Sequence, residues 1–563
     1  MNKQAIEHKH ESRYSFYLDN NRCLIRVRTA RNDTIKKVEV LWNEWCQFYK
    51  HQNTTILTIA YEDDLFAYYE GIISSEKPSY EYIIKITDGD GKIYYLCDEG
   101  LVEKFDFQSS NQLVFMAKFP NESDIVRKNE KLSGRIFYQI FPERFACSDF
   151  SKPYISMKWD TKKVDNNHYL GGDLQGIIAK IPYLKQMGIG GIYLTPIHPA
   201  GSAHKYDIND YFDIDPMFGN FDDFDQLIKV CHANDITLVM DMVFNHCSYY
   251  NVLFQDVVKN GKKSKYYDWF FVDGDKPDYD KKNYLTFANV RMMPKLNTNN
   301  PEVLEYFKKV LLFWANKGVD GFRLDVAFEI SYQFWRALKF NLLSINKDIF
   351  FIGEDWLNTV SRLDNSQWDS VMNYPFRYAL LKYLTNNEVS NEWFSNRLNS
   401  LFVRYINETN NKVINLVDSH DTERLINRLG FDQNKFLLAF AILMFYPGVP
   451  QIYYGDEIFM EGNMDPDCRR GMEWNSKEFE SENHKFLLEI LKLRNLDSLK
   501  FGNCKFGIKN EVSFISRWID NESYTLYFSN KAVDFDCKGS IILKHNFTNN
   551  RFDKFGFIVI KNK

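Results

Sequence analysis

Gly321-Phe-Arg-Leu-Asp325 is the first of three stretches that decide the fold of this chain; the others are Phe351-Ile-Gly-Glu354-Asp355-Trp356 and Asn415-Leu-Val-Asp418-Ser-His420-Asp421. Each acid-bearing stretch contains a short run of apolar, often β-branched residues, and such runs are typical of strands buried on both faces of a parallel sheet. A carboxylate at the C-terminal end of several parallel strands is the arrangement that forms the active site of a (β/α)8 barrel. The three stretches therefore predict a barrel with a carboxylate-lined site.

Outward from these stretches, strand and helix patterns alternate, which predicts a multidomain α/β protein whose centre is a (β/α)8 TIM barrel over residues 135–498. The segment of about 246–297, after the third strand, is too long for an ordinary loop and predicts a small inserted subdomain beside the site. Eight strand candidates support the barrel: 136–141, 191–194, 237–243, 319–324, 349–353, 370–374, 413–417 and 449–453.

Short alternating strands separated by turn residues precede and follow the barrel. Before it they predict an antiparallel β-sandwich, and we assign residues 1–120 to this N-terminal domain. The polar stretch 121–134 has the composition of a linker. The strands after Phe501 predict a small C-terminal antiparallel β-sandwich over 499–563. A chain of 563 residues is long enough for several such domains.

The composition argues against several classes of partner. A formal net charge of −5 disfavours binding to nucleic acid or to an anionic membrane. The first residues contain no apolar signal region, and no apolar run reaches the roughly 20 residues that a membrane span requires. Nine scattered cysteines without a C-x-x-C pair indicate reduced thiols in a cytoplasm. Aromatic residues make up 16% of the chain, which fits stacking on sugars and equally fits core packing.

Asp325, Glu354 and Asp421 could together supply the chemistry of acetal hydrolysis between sugars. That reaction requires one carboxyl group to protonate the leaving oxygen and a second to attack the anomeric carbon or activate water, while a third can stabilise positive charge. Arg323 lies two residues before Asp325 on the same strand face, where its guanidinium favours the ionised carboxylate. A purely structural ion pair explains this pair equally well. His420 could donate to a sugar hydroxyl, although a single histidine is more often a packing residue.

The acid-bearing stretches resemble the signature regions of the α-amylase superfamily of retaining glycoside hydrolases. Met293-Pro-Lys-Leu-Asn297 resembles the fifth region of the branch that contains cyclomaltodextrinases, neopullulanases and maltogenic amylases. The N-terminal sandwich, with Ala5-Ile-Glu-His8 and Ile25-Arg-Val-Arg28-Thr29, is similar to the starch-binding-like dimerisation domain of that branch. The segments that match the first four regions are Asp241-Met-Val-Phe-Asn245-His246, Gly321-Phe-Arg323-Leu-Asp325-Val-Ala-Phe-Glu329, Glu354-Asp-Trp356 and Val417-Asp-Ser-His420-Asp421.

The resemblance implies a role for each matching residue. Asp325 would be the nucleophile, Glu354 the acid/base catalyst, and Asp421 the group that stabilises the transition state. Asp241 and Asn245 would hold the site together. The implied substrate-binding residues are Tyr206 as a stacking platform, His204, His246, Arg323 and His420 around the sugar at the cleavage point, Asp465 and Arg469 on the non-reducing side, and Trp356 and Glu329 on the leaving-group side.

Two segments depart from the pattern of the superfamily. Phe328 stands where the branch usually has Asn, and this changes the expected specificity on the leaving-group side. The loop with Cys147 and Asp149, together with Asp173, resembles a calcium-binding loop of some relatives. A thiol replaces an oxygen ligand there, whereas calcium prefers six to eight oxygens. We therefore predict no cofactor and no metal site, with a weak calcium site at Asp149 and Asp173 as the alternative.

The resemblance implies a cytoplasmic hydrolase of α-1,4-glucosidic bonds that acts by double displacement with net retention and some transglycosylation. Its implied substrates are cyclodextrins and maltooligosaccharides, with pullulan and starch as further candidates. Its implied state is a homodimer formed through the N-terminal domain. Two alternatives stay open: an α-glucosidase or glucosyl-transferring member of the same superfamily, and a non-catalytic glucan-binding protein. The sequence does not decide which glucan is preferred.

Overall fold

The computed structural model describes residues 1–10, 12–108, 113–120, 124–125, 127–357, 359–363 and 366–562. These residues form three β-sheets in chain order, and the α-helices lie between residues 142 and 501. The predicted arrangement of a β-sandwich, a barrel and a C-terminal β domain is confirmed by these sheets. The predicted linker 121–134 falls partly outside the described residues, because it contains 121–123 and 126.

Within the described ranges, the first sheet contains nine antiparallel strands: β1 Ser15–Tyr17, β2 Arg22–Ala30, β3 Ile35–Glu44, β4 Asn53–Glu62, β5 Phe66–Ser74, β6 Tyr80–Asp88, β7 Ile93–Cys97, β8 Gly100–Val102 and β9 Phe115–Ala117. Strand β4 connects two layers, because residues 53–57 pair with β3 and residues 58–62 pair with β5. Buried side chains such as Ile25, Val40 and Ile84 from both layers share one core. This is the packing of a β-sandwich.

The second sheet is parallel and closes into the predicted barrel. Among the described residues it has eight strands: β10 Phe137–Ile140, β11 Gly191–Leu194, β12 Thr237–Val243, β13 Gly321–Asp325, β14 Phe350–Gly353, β15 Ser370–Val371, β16 Ile414–Asn415 and β17 Val449–Tyr453. Strand β17 pairs with β10, and a bridge between Met372 and Ile414 joins the two remaining edges. All eight predicted strands are therefore confirmed, although β15 and β16 are shorter than predicted.

Helices surround the barrel as the strand–helix alternation requires. Asp173, Asn220, Asn300 and Ser331 each cap a helix N-terminus with a side-chain oxygen, as short polar residues do at this position. The helices are α1 Pro142–Phe145, α2 Leu174–Gln186, α3 Phe221–Ala233, α4 Val252–Asn260, α5 Pro301–Asn316, α6 Tyr332–Leu343, α7 Tyr374–Thr385, α8 Asn391–Phe402, α9 Asn407–Asn410, α10 Leu425–Arg428, α11 Gln433–Phe445, α12 Glu482–Lys492 and α13 Asp497–Phe501. In the part of the chain that the structure covers, none of them has the length and apolar character needed to cross a membrane.

The third sheet is antiparallel and packs beside α8, α11 and α13. Its strands are β18 Asn503–Lys509, β19 Val512–Ile519, β20 Glu522–Ser529, β21 Val533–Asp534, β22 Ser540–Thr548 and β23 Arg551–Lys561. The strands predicted after Phe501 are confirmed. The apolar face of this sheet supplies residues such as Leu526 and Phe528 to the same core as the barrel helices.

A buried arginine joins the N-terminal sandwich to the barrel. The Arg26 side chain lies in β2 and is 2% exposed. Its Nη1 donates to the carbonyl oxygen of Val403, its Nη2 donates to that of Tyr405 at 3.3 Å, and its Nε donates to Glu70 at 2.6 Å. A guanidinium removed from water requires such partners. This contact fixes the sandwich against the segment that follows α8.

Candidate active site

The three predicted acids meet at one end of the barrel. Asp325 ends β13, Glu354 follows β14, and Asp421 lies in the segment after β16. Parallel strands place their C-terminal ends at the same rim, so these side chains converge there. They line a cavity of about 360 Å³. Its other walls are Asn166, His204, Tyr206, His246, Phe287, Met293, Val326, Phe328, Trp356, Asp465 and Arg469.

Arg323 lies directly beneath this cavity, and its side chain is 1% exposed. Its Nη1 donates to Asp325 Oδ1 at 2.8 Å and to Asp241 Oδ2 at 2.9 Å. Its Nη2 lies 3.2 Å from Glu354 Oε2 and 4.0 Å from Asp421 Oδ2. Among the described residues, a single guanidinium thus faces four carboxylates. The ion pair with Asp325 that the sequence left open is present, and it lies inside the site.

This crowding determines the protonation of Asp325. Burial raises the pKa of Asp325 well above its ordinary value, Arg323 opposes that shift, and Glu354, Asp241 and Asp421 add to it. Burial also raises the pKa of Asp241 to about 6. Arg323 favours the ionised carboxylate as predicted, but one positive charge does not offset burial and three other carboxylates. The free site therefore tends to retain a proton.

The orientation of Glu354 is fixed by two N–H donors. The Val326 backbone N–H donates to Oε2 at 2.9 Å, and the Trp356 indole N–H donates to Oε1 at 2.9 Å. Val326 has φ +47°, a left-handed conformation that is rare for a β-branched residue. Such strain is concentrated at functional sites, and here it belongs to the residue whose N–H contacts Glu354. Trp356 is itself held by stacking on Tyr374, with ring centroids 3.8 Å apart.

Asp421 is held by the Arg469 guanidinium and lies beside the His420 imidazole. Its Oδ1 lies 3.3 Å from Arg469 Nη2, and its Oδ2 lies 3.2 Å from His420 Nε2. Gln139 Nε2 donates to Nδ1 of His420 at 2.5 Å, which leaves the proton of the neutral imidazole on Nε2. Burial lowers the pKa of His420 well below its ordinary value. His420 is therefore a neutral donor, and its Nε2 lies 2.6 Å from the Tyr206 hydroxyl. Arg469 also pairs with Asp465 at 2.7 Å.

Aromatic side chains form the walls around the acids. The Tyr206 hydroxyl donates to Asp241 Oδ2 at 2.8 Å, which fixes the ring against the cavity. His246 stacks on Phe287, with ring centroids 4.7 Å apart. Burial lowers the pKa of both His204 and His246 to about 3, so each imidazole is neutral near pH 7. Neutral rings and fixed hydroxyls suit an uncharged ligand with many hydroxyl groups.

The structure brings most of the predicted site residues together. Arg323 and His420 contact the acids from below, as described above. Glu329 is the exception, since it is exposed at the rim and accepts from Lys295 and, at 2.9 Å, from Asn245 Nδ2. Its expected contact with the leaving group stays a prediction, as do the roles of the others. The predicted residues that line the cavity are Asp325, Glu354, Asp421, Tyr206, His204, His246, Trp356, Asp465 and Arg469.

Two wall residues escaped the sequence analysis. Phe287 belongs to the inserted segment after β12 and reaches the site by stacking on His246. Asn166 accepts from Arg469 Nη1 at 3.3 Å. Neither lies at a strand end or in a recognisable motif, so no local pattern identified them. Phe328, the departure noted in the sequence, is 45% exposed and lines the cavity.

The loop that resembles a calcium site does not fit a calcium ion. The Lys152 ammonium contacts Asp173 Oδ2 and donates to the carbonyl oxygen of Gly171 at 3.1 Å. A lysine thus lies where a cation would contact these two oxygens. Asp149 is exposed and accepts from a neighbouring serine. Among the described residues, no group of three or more His, Cys, Asp or Glu could hold a metal ion.

Comparisons with known proteins cover nearly the whole chain. A family model described as "Alpha amylase, catalytic domain" matches residues 139–492, and one described as "Alpha amylase, N-terminal ig-like domain" matches residues 1–120. A cyclomaltodextrinase of Thermoanaerobacter pseudethanolicus is 37% identical over 94% of this chain and 93% of its own length. Neopullulanase 2 of Thermoactinomyces vulgaris is 37% identical over 89% of this chain and 86% of its own length. A solved cyclomaltodextrinase structure superposes with a TM-score of 0.89 and 30% identity, covering 100% of this chain and 98% of that one.

Proposed function

This chain belongs to the α-amylase family of glycoside hydrolases, and on that premise we propose that it hydrolyses α-1,4-glucosidic bonds of cyclodextrins and maltooligosaccharides with retention of configuration. The observation that supports this most directly is the group of Asp325, Glu354 and Asp421 around Arg323 at the barrel rim. Retaining glycosidases require a nucleophile and an acid/base catalyst close together. The similarity to cyclomaltodextrinase and neopullulanase favours α-1,4-glucans over the maltose-type substrates of an α-glucosidase.

In the first step, Glu354 donates its proton to the glycosidic oxygen while Asp325 attacks the anomeric carbon. The bond from carbon to the leaving oxygen breaks, and an ester forms between the sugar and Asp325. Arg323 stabilises the Asp325 carboxylate for this attack through its 2.8 Å contact. Asp421, held by Arg469, accepts hydrogen bonds from the sugar as positive charge develops on its ring.

In the second step, water enters from the leaving-group side and gives its proton to Glu354. The oxygen of water attacks the anomeric carbon, the ester to Asp325 breaks, and the second inversion restores the original configuration. A sugar hydroxyl in place of water gives transglycosylation. Phe328 and Trp356, which the resemblance assigns to this side, line the cavity with apolar surface that favours a sugar acceptor by stacking.

The first test is product analysis of the parent protein and of Asp325→Asn with β-cyclodextrin, pullulan and starch. We expect the parent to open the cyclodextrin and release maltose, with the α-anomer appearing first in proton NMR spectra. Asp325→Asn should lose activity by at least 10³-fold, a scale typical of losing a catalytic nucleophile. The exposed Asp553→Asn serves as the control and should retain full activity.

Three outcomes would contradict parts of the proposal. Initial release of the β-anomer would exclude retention. Single glucose units from maltose, with cyclodextrin left intact, would favour the α-glucosidase alternative. If Asp325→Asn were as active as the parent, the assigned nucleophile would be wrong.

We also propose that the protein forms a homodimer through its N-terminal sandwich. Large apolar side chains are exposed there, including Trp45 at 56%, Ile56 at 56% and Ile59 at 51%. Exposed apolar surface of this kind is typical of an interaction site. Light scattering at micromolar protein should give about twice the mass of one chain, and Ile56→Lys with Ile59→Lys should give monomers. Ile542→Lys, at a 43% exposed position on the C-terminal sheet, is the matched control; a monomeric parent would contradict the proposal.

We propose further that the protein works in a cytoplasm without a bound metal. All nine cysteines lie within the described residues and are free thiols, as expected in a reducing compartment. The Lys152 ammonium beside Asp173 takes the position that a calcium ion would need. Activity should therefore be unchanged by a chelator and by a thiol reductant, measured as initial rates on cyclodextrin. Loss of activity with the chelator, restored by calcium, would contradict this proposal.

A further inference from the structure

A second and larger cavity lies beside the catalytic one. It has a volume of about 500 Å³, and its walls include Phe150, Trp159, Lys162, Lys180 and Trp474. Pockets for small ligands commonly measure about 300–1,000 Å³. The cavity contains none of the predicted catalytic residues, and nothing in the proposed mechanism uses it. We call it the Trp159/Trp474 cleft.

The two indoles of this cleft are fixed in orientation. The Trp159 Nε1–H donates to the carbonyl oxygen of Met472 at 2.8 Å, and the Trp474 Nε1–H donates to that of Phe145 at 2.6 Å. Both side chains remain only partly buried. Because their polar atoms are satisfied by the backbone, the rings present apolar surface in a preset position. Preset rings lose little conformational entropy when a ligand binds.

An exposed aromatic ring extends this surface. Phe150 is 62% exposed and contacts Trp159 edge to face, with ring centroids 5.7 Å apart. A large aromatic residue kept in water beside a cavity indicates a surface that a ligand covers. Flat apolar C–H faces, such as those of a pyranose ring, stack on aromatic rings of this kind.

The charged side chains that line the cleft include both signs. Lys162 pairs with Glu473, and Arg470 pairs with its neighbour Asp467 at 2.8 Å. The Lys180 ammonium lies over the Trp474 ring, 3.8 Å from its centroid, and Asp160 is a further carboxylate among the lining residues. The walls therefore offer both donors and acceptors. Such walls favour a neutral, polyhydroxylated ligand over a phosphate or a cation.

We propose that the Trp159/Trp474 cleft binds a short segment of an α-glucan and so holds a long substrate near the catalytic cavity. This rests on the proposed function, which supplies the class of ligand. The segment 465–476 connects the two cavities, because Asp465 and Arg469 line the catalytic one whereas Gly471 and Trp474 line the cleft. A glucan chain bound in the cleft is thereby held beside the non-reducing side of the active site.

The test uses fluorine NMR of protein labelled with fluorotryptophan in the inactive Asp325→Asn background. The chain has 11 tryptophans, and Trp159→Phe, Trp474→Phe and Trp356→Phe assign the three signals of interest. On titration with maltotriose, the signals of Trp159 and Trp474 should shift together and saturate with one dissociation constant. The signal of Trp356, in the catalytic cavity, should saturate with a different one.

The outcomes separate the two proposals. If the Trp356 signal shifts and the signals of Trp159 and Trp474 do not, the cleft proposal is overturned and the proposed function stands. If none of the three signals shifts, both proposals are overturned. Binding in the cleft alone would support the cleft and contradict the catalytic assignment.

A kinetic comparison tests the same inference with a mild substitution. Phe150→Ala should raise KM for long soluble amylose at least threefold and leave kcat/KM for β-cyclodextrin unchanged, because only a long chain reaches both cavities. Phe340→Ala, at a 52% exposed position on α6, is the control and should change neither value. An unchanged KM of Phe150→Ala for amylose would overturn the cleft proposal.

Discussion

Arg323 is the positively charged residue around which four carboxylates of the site lie. It contacts Asp325 and Asp241 directly and lies within 4.0 Å of Glu354 and Asp421. Four carboxylates lie around this guanidinium, and burial together with the charges of Glu354, Asp241 and Asp421 raises the pKa of Asp325. The folded protein therefore has lower stability at the proposed catalytic residues, a common trade-off between stability and activity.

The first prediction concerns stability at this residue. The raised pKa of Asp325 means that the folded state binds a proton more tightly than the unfolded chain, so stability falls as pH rises from about 4 through the raised pKa. Asn cannot ionise, so a variant with Asn at this position does not lose folding stability in this way as pH rises. Asp325→Asn should therefore raise the unfolding free energy by roughly 1–3 kcal/mol at pH 7 and have little effect near pH 4.

Thermal unfolding at the two pH values measures this difference. Asp553→Asn is the matched surface control and should show no change at either pH. A variant less stable than the parent at pH 7 would mean that the ion pair between Arg323 and Asp325 outweighs the crowding of carboxylates.

The second prediction concerns the pH dependence of activity. Asp325 must be ionised to attack, so kcat/KM should fall as pH decreases through a pKa above the ordinary carboxyl range. Asp241 contributes to this elevation, because its charge lies beside Arg323 and near Asp325. Asp241→Asn should move the acid limb of kcat/KM to lower pH while reducing the maximum by about tenfold or more. An acid limb that stays in place or moves to higher pH would contradict this account.

The site residues that the pattern of apolar runs could identify lie at the ends of predicted strands. Asp325 and Glu354 occupy the ends of strands that short apolar runs reveal, so their place in the barrel depends on local sequence. Phe287 and Asn166 reach the site through contacts with residues far away in the chain, His246 and Arg469. The pKa of Asp325 escaped prediction for the same reason, since it depends on acids from other strands.

At the scale of elements, the lengths of β15 and β16 show where pattern reasoning stops. Strand β15 ends early because Asn373 caps α7 by accepting from the Phe376 N–H. Strand β16 ends early because Arg377 Nε binds the Val417 carbonyl oxygen at 2.9 Å. Phe376 and Arg377 both belong to α7, and apolar runs alone do not show such competition. The existence and order of the eight strands needed only hydrophobic runs and spacing.

The third prediction concerns the loop that precedes α2. Asp173 is 3% exposed, caps α2 through the Gly176 N–H, and contacts the Lys152 ammonium. Lys152→Met leaves that carboxylate buried without its cation, which should lower the unfolding free energy by roughly 3–5 kcal/mol. Lys152→Met combined with Asp173→Asn should recover part of the loss, because Asn still caps a helix.

Thermal unfolding with and without a chelator distinguishes lysine from metal in this loop. The parent should unfold at the same temperature under both conditions. A lower midpoint with the chelator, reversed by added calcium, would show that a metal ion rather than Lys152 supports Asp173.

At the scale of the whole molecule, Arg26 is a buried polar contact between the sandwich and the barrel. Its partners are the carbonyl groups of Val403 and Tyr405 and the carboxylate of Glu70. The proposed dimer needs the relative position of the sandwich and the barrel to be constant, since an interface on the sandwich orients the whole partner only if the sandwich is fixed to its own barrel.

The fourth prediction tests this junction. Arg26→Met removes the donors and leaves Glu70 without its ion pair. This should lower the free energy that holds the sandwich folded against the barrel by roughly 3–5 kcal/mol. Calorimetry should then show the sandwich unfolding as a separate transition at lower temperature, ahead of the barrel. Arg22→Met, which removes an exposed ion pair with Asp19, is the control and should leave the thermogram unchanged. One unshifted transition for Arg26→Met would show that apolar contacts alone hold the sandwich.

The segment 465–476 has a consequence for how such a protein can diverge. Asp465 and Arg469 face one cavity, and Gly471 and Trp474 face the other only a few residues later. An insertion or deletion within this stretch would displace both walls at once, whereas a point substitution can alter one of them. Among relatives that keep both cavities, we therefore expect the length of this stretch to be constant while its side chains vary. In relatives without the cleft, we expect the length of segment 465–476 to vary.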